Sequence, residues 1–247
     1  MLKVSIIIAV YNGKETLEKA ITSCLEQTYR NKELIIIDGG STDGTQSILE
    51  KYNNDITFWK SEKDRGIYHA WNKAIQHVTG EWLCFIGADD YWAYPKAIED
   101  LIFESQKTGA ELVSGKVVII DSQHNVKRIF GKPWSWKAIK RHHCIAHPGM
   151  MHHKVCFERN GSYDEGFKIA GDYDFSLRLG QKTTSSFIDR NFVCMGDSGI
   201  SHTQIEKTLS EVRDIQAKHP DIGALKANIN YIRTRVVVTI KNILGFF

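Results

Sequence analysis

Residues 4–13 read VSIIIAVYNG, a β-branched apolar run from Val4 to Val10 closed by Tyr11-Asn12-Gly13. A run so largely apolar, without polar alternation, fits a strand buried on both faces, with helices on each side. The chain that follows agrees. In KETLEKAITSCLEQTY, Leu17, Ala20, Ile21, Cys24 and Leu25 form one helical stripe, and Asn12 with Glu15 has capping-box spacing. ELIIID (Glu33 to Asp38) predicts a second strand, ending in the loop GGSTDGT and a helix from Asp43 to Tyr52. ITFWKSE (Ile56 to Glu62), the helix around Ala70, Trp71, Ala74, Ile75 and Val78, and the strand WLCFIG continue the alternation. The expected fold is α/β, a mainly parallel sheet flanked by helices, with ligands at the carboxyl ends of the strands.

The second half is less regular. Pro95 opens the helix PKAIEDLIFESQ, and ELVSGKVVII with NVKRIF predicts an antiparallel pair turning between Asp121 and Asn125. After RHHCIAHPGMMHH come a short helix DYDFSLRL stopped by Gly180, the strand SSFIDRNFVCMG, and a helix with capping-box spacing at Thr203 and Glu206 that ends before Pro220.

With 247 residues, 42% hydrophobic and 25% charged, the chain has the composition of a globular domain. A formal net charge of +3 and the lack of a basic run argue against nucleic acid as a partner. Five scattered cysteines, none in a C-x-x-C arrangement, suggest neither disulfides nor a zinc ribbon, and fit a reducing compartment. The N-terminus lacks the features of a signal peptide, and no segment reaches the roughly 18 apolar residues of a membrane span, so the expected location is cytoplasmic.

Several carboxylates stand at strand ends. Asp38 could accept a hydrogen bond from a base or ribose, or cap its own loop. GGSTDG matches neither the dinucleotide nor the Walker phosphate fingerprint. In FIGADDYW, Asp89 and Asp90 follow a buried strand. They suit either a turn cap or a site for a hard divalent cation such as Mg²⁺ or Mn²⁺. The histidines His142, His143, His147, His152 and His153 match no standard zinc spacing.

Taken in order, SIIIAVYNG, ELIIIDGGSTDGT, DRGIYHAWNKAI, GEWLCFIGADDYW and AGDYDFSLRLG resemble the family 2 glycosyltransferases over about Lys3 to Ser201. The resemblance implies a single A-type glycosyltransferase domain (1–220), with a nucleotide-sugar half (1–115) and an acceptor half (116–220). It places Ala9, Tyr11, Glu15, Asp38 and Asp64 in the nucleotide pocket and Asp89 near the ribose or donor sugar. Asp90 is then expected to bind the Mn²⁺ or Mg²⁺ on the diphosphate, with His202 a candidate further ligand. GADD stands where the family carries a D-x-D-like motif, with Ala88 in place of the first acid. Asp172 aligns with the general base, Asp174 being the second candidate, and Gly171 replaces an acid of the family's E-D-x-D segment. The same Asp172 also suits an N-terminal helix cap. His147 falls on the acceptor side.

The implied reaction is inverting transfer from a nucleotide sugar, UDP-linked, to a saccharide acceptor in surface polysaccharide (O-antigen or capsule) synthesis, where the acceptor would be polyprenyl-diphosphate-linked. Two alternatives stay open: a sugar nucleotidyltransferase, for which YNGKE offers only Lys14 as a phosphate-binding cation, and a non-catalytic sugar-nucleotide-binding protein. The terminal stretch 221–247 places Ile229, Ile232, Val236, Ile240, Ile243 and Phe247 on one helical stripe, with Lys226, Arg233, Arg235 and Lys241 outside it. It reads as an interfacial helix for peripheral membrane contact, a core-packing helix or a homodimer face.

Overall fold

The computed structural model describes residues 1–197, 199 and 203–243, the last three as backbone. Its first half is a run of strand-helix units: β1 (Val4–Val10), α1 (Leu17–Leu25), β2 (Lys32–Asp38), α2 (Thr45–Lys51), β3 (Phe58–Ser61), α3 (Ile67–Ile75) and β4 (Trp82–Gly87). These strands lie parallel in the order β3-β2-β1-β4. Ile6 and Ile8 of β1 point to one face, against Leu17, Ala20, Ile21 and Cys24 of α1 and Leu49 of α2. Ile7 points to the other, with Tyr68, Trp71 and Ala74 of α3. The uninterrupted apolar run is thus shared between two helical layers, and each fully buried isoleucine contributes about 2 kcal/mol of transfer free energy.

Beyond β4 the sheet becomes mixed. A short β5 (Tyr91–Trp92) leads to α4 (Ala97–Thr108), then β6 (Leu112–Ile120) and β7 (Val126–Phe130), which form the expected antiparallel pair. α5 (Trp136–Ile139) precedes the histidine-rich segment, which ends in β8 (Met151–His153), and α6 (Val155–Asn160) follows. β8 fills the sheet between β4 and β6, antiparallel to both. α7 (Gly171–Leu179) ends at Gly180, whose φ of 72° suits glycine, and β9 (Ser185–Gly196) lies parallel to β6 and antiparallel to β5. The chain closes with α8 (Ile205–Lys218) and α9 (Gly223–Ile243). α5, α7 and α8 share a third apolar cluster in which the Tyr173 hydroxyl donates to the Ile139 carbonyl and accepts from Gln216 Nε2.

The α/β architecture is as expected, but both capping boxes are not. Asn12 adopts a left-handed φ of 50° and turns its side chain to the neighbouring loop, and α1 begins only at Leu17. α8 starts at Ile205 behind Gln204, which makes no side-chain cap. The third strand is also shorter than Ile56–Glu62, and β5, β8, α5 and α6 were not anticipated.

At the amino end of the sheet, Glu33 is 3% exposed. Its carboxylate takes hydrogen bonds from Ser5 Oγ, Thr79 N and Thr79 Oγ1 and pairs with Lys3 Nζ at 2.6 Å. Burial alone would raise its pKa, but Lys3 and the hydroxyl donors outweigh it and hold the group at about 2. Because this carboxyl is depressed, its contribution is complete above about pH 4.5 and fades as pH falls toward 2. Glu33→Gln is expected to cost about 2 kcal/mol at neutral pH in a denaturant melt, a deficit that shrinks in acid. Equal stabilities at pH 7 would refute the network's role.

Candidate active site

At the carboxyl end of the sheet the loops after β1 and β2 are bonded to each other. Asn12 N donates to Ser41 Oγ at 2.7 Å and its Oδ1 accepts from Thr42 N; Gly13 N donates to Thr45 Oγ1 and Lys14 N to Asp43 Oδ2. Asp38 is fully enclosed: Oδ2 accepts from Ser41 N at 3.0 Å and Ser61 Oγ at 2.5 Å, and Oδ1 from Ser41 Oγ. Its loop-capping role is therefore filled, with one lone pair on Oδ1 uncommitted. A Cβ at Gly39 would lie 2.7 Å from Asp64 Oδ2 and 3.3 Å from the Tyr11 ring, so the missing side chain lets both close in on Gly39. Tyr11 is 68% exposed over this recess, Ala9 sits half-buried between Ile37 and Gly87, and Glu15 is exposed on the turn.

The acidic pair stands on the turn after β4. Asp90 is 4% exposed; its Oδ2 accepts from Gly87 N at 2.9 Å, closing its own turn, while its buried Oδ1 has no hydrogen-bond partner. The pair does not cap the following helix, whose N-terminal flank is Lys96. Pairing of Tyr91 and Trp92 with Cys194 and Val193 brings β9 alongside, and a side chain at Gly196 would come within 3.1 Å of Asp89 Oδ2. Burial, with repulsion from Asp89 second, pushes the Asp90 carboxyl up to about 8. Two crowded carboxylates with an orphaned oxygen fit a divalent cation, which would relieve both the repulsion and the unsatisfied acceptor.

Asp89 and Asp90 share a cavity of about 470 Å³ with Asp172, Tyr68, Trp71, His143 and His147. Asp172 lies in the first turn of α7, where its Oδ1 accepts from Tyr173 N at 2.9 Å and lies 3.3 Å from the Tyr68 hydroxyl, whose single proton is shared with the Ile169 carbonyl at 2.7 Å. Oδ2 faces His143 Nδ1 at 3.8 Å. Asp174 instead pairs with Arg178 at 2.8 Å and does not line the cavity. Gly171 has a steric reason: its Cβ would fall 2.8 Å from the Tyr68 ring, so the acid expected by the family pattern is replaced by the space Tyr68 needs. From α8, Glu211 accepts the backbone N–H groups of Lys168, Ile169 and Ala170 at 2.8–3.0 Å, pinning the segment that leads into Asp172.

His147 stacks on Trp71 with 4.9 Å between ring centroids, and its Nε2 lies 3.0 Å from the Tyr163 hydroxyl. Burial and then the neighbouring His152 push its pKa well below the ordinary imidazole value, so it is neutral. His202 lies outside the described residues, and among those described no group of three or more His, Cys, Asp or Glu is arranged to hold a metal. The zinc reading of the histidines thus finds no support there. Sequence reasoning missed Tyr68, Trp71, His143 and Glu211. Trp71 read only as the apolar side of a helix, Tyr68 carried no signal of its own, and Glu211 reaches its partners from more than 40 positions away.

The family model for glycosyl transferase family 2 matches residues 5–159. The chain belongs to this family. A family 2 member so assigned is a glycosyltransferase, which sets aside the sugar nucleotidyltransferase alternative. It is 28% identical to an uncharacterized glycosyltransferase of Mycobacterium tuberculosis over 94% of this chain and 90% of that one. It is 30% identical to another of Rickettsia typhi, over 71% of this chain but only 58% of the relative. A PGL/p-HBAD biosynthesis glycosyltransferase of Mycobacterium bovis is 27% identical over 70% of this chain and 68% of its own. Among solved structures, S. aureus TarS 1-349 in complex with UDP-GlcNAc superposes with a TM-score of 0.73 over 93% of this chain and 70% of that chain, at 18% identity. A mannosyltransferase of Pyrobaculum calidifontis in complex with GDP-Man and Mn²⁺ superposes with a TM-score of 0.65 over 88% and 64%, at 19% identity. These two show that the family 2 chain has their fold.

A carboxyl whose folded pKa is raised above its unfolded value costs stability as pH climbs between the two, here from 3.8 to about 8. Without divalent cation, the melting temperature of the wild type is expected to fall across this window more steeply than that of Asp90→Asn, which has no charge to bury. Parallel curves would contradict the strained acidic pair.

Proposed function

We propose that this glycosyltransferase moves a sugar from a nucleoside-diphosphate sugar, UDP-linked, to a saccharide hydroxyl with inversion at the anomeric carbon. The observation that carries the reading is that Asp89, Asp90 and Asp172, from two distant parts of the chain, line one cavity. The first 115 residues form the donor half. Tyr11, Asp64 and Asp38 take the base and ribose, with Ala9 and Glu15 at the rim, and Asp89 takes the ribose or donor sugar. That proteins of this fold were crystallised with UDP-GlcNAc and GDP-Man supports a nucleotide-sugar donor.

Asp90, through Oδ1, and Asp89 beside it would hold Mn²⁺ or Mg²⁺, which supplies charge neutralisation to the departing diphosphate. Asp172 is the general base. Tyr68 and Tyr173 N occupy one oxygen and fix the plane of the carboxylate, leaving Oδ2 to take the acceptor's proton as it attacks. Direct displacement with the base across from the leaving group inverts the centre. Neutral His147 and Trp71 form the cavity floor, and the wall of Ile119, Phe130, Ile145, Leu209 and Val238 suits an acceptor carried on an apolar anchor such as a polyprenyl diphosphate. Such an acceptor fits synthesis of surface polysaccharide, O-antigen or capsule.

Asp172→Asn is expected to keep UDP-sugar binding, seen as thermal stabilisation, while slowing transfer by about 10²–10⁴-fold. Asp90→Ala is expected to lose the metal-dependent part of UDP stabilisation. Full transfer by Asp172→Asn would remove the base assignment, and a wild type that neither transfers nor slowly hydrolyses any UDP-, GDP- or dTDP-sugar would indicate a binding protein.

A further inference from the structure

The apolar stripe of α9 faces away from the protein. Ile229, Ile232, Val236 and Ile240 are 41%, 60%, 52% and 50% exposed, and Leu225 extends the same line at 76%. The helix cannot roll to hide them, because its other side is engaged. Ala227 is fully buried, and Asn230 Nδ2 donates to the Lys140 carbonyl and to Gln216 Oε1. One side of the helix therefore packs on the protein while the stripe does not, and among the described residues a ridge of aliphatic side chains stands exposed on the surface.

Beside the ridge lies a groove of about 350 Å³ between α5 and α9. Lys137, Lys140 and Arg141 enter it from α5 and the residues just after it, Lys226 and Arg233 from α9, against a single carboxylate, Asp221. Among the described residues none of these five cations pairs with a carboxylate. Three of the five come from the α5 region, about 90 positions before Asn230, so the basic flank is a product of the fold and not of the terminal helix alone.

We propose that the α5–α9 face is the docking surface for an anionic lipid bilayer, a role independent of the transfer reaction: the ridge enters the acyl boundary and the groove receives phosphate headgroups. No helix among the described residues is long and apolar enough to cross a membrane, so α9 lies in the plane of the interface. Charge selects the occupant. A second copy meeting this face across a two-fold axis would set the same basic flank against itself, whereas anionic headgroups complement it.

The test is flotation of the full chain with vesicles of phosphatidylcholine alone and of phosphatidylcholine mixed with phosphatidylglycerol. The wild type is expected to float only with the mixed vesicles and to be released by salt. Each cation near the surface contributes about fivefold to binding, so Lys137→Ser/Arg141→Ser/Arg233→Ser together is expected to weaken it roughly a hundredfold. Ile232→Asp/Val236→Asp is expected to abolish flotation at an unchanged circular-dichroism melting temperature, since both side chains are exposed in the free protein. Equal binding to neutral vesicles, retained flotation of either variant, or no flotation of the wild type would overturn the proposal. So would a dimer in light scattering that Ile232→Asp/Val236→Asp dissociates while vesicles bind nothing, which would assign the ridge to a second copy.

Discussion

The site depends on two carboxylates forced together at the end of a buried strand. β4 runs through the core from Trp82 to Gly87, and the turn that follows leaves no room to separate Asp89 from Asp90. Gly87 is needed for that turn, since a Cβ there would lie 2.7 Å from Asp90 Oδ2. Water is kept from Asp90, so the repulsion is weakly screened and one acceptor oxygen is orphaned. A protein tolerates such a cost where a ligand removes it.

Everything else brings chemistry to that point. β5 pairs with β9 and carries Gly196 against Asp89, and β8 threads between β4 and β6 so that His147 meets Trp71. α8 holds the approach to α7 through Glu211, which sets Asp172 on Tyr68. The donor-side loops are held by their own backbone-to-side-chain bonds, and Tyr11 and Asp64 both stand close to Gly39. The apolar wall of the cavity comes largely from the β6–β7 hairpin and the terminal helices, and the last of these, α9, also carries the outward ridge and one side of the basic groove.

The parallel half of the fold was legible because its strands are built on β-branched apolar runs and its helices carry clear 3.6-residue stripes. β8 was not, since MHH has no strand signal of its own and extends only because β4 and β6 offer free edges on both sides. The capping-box spacings misled because Asn12 finds a better partner in the loop after β2. Asp90 and Asp172 could be nominated from motif positions, but Tyr68 could not: its hydroxyl works on a residue 104 positions away, and its ring explains why position 171 is glycine. Contacts at that separation exist only once the chain has folded.

The most direct measurement is a crystal structure with Mn²⁺ and UDP, with anomalous scattering used to locate the metal. A peak is expected within bonding distance of Asp90 Oδ1 and of the diphosphate, with the uracil beside Tyr11 and Asp64. Manganese bound elsewhere, or UDP ordered away from the acidic turn, would contradict it.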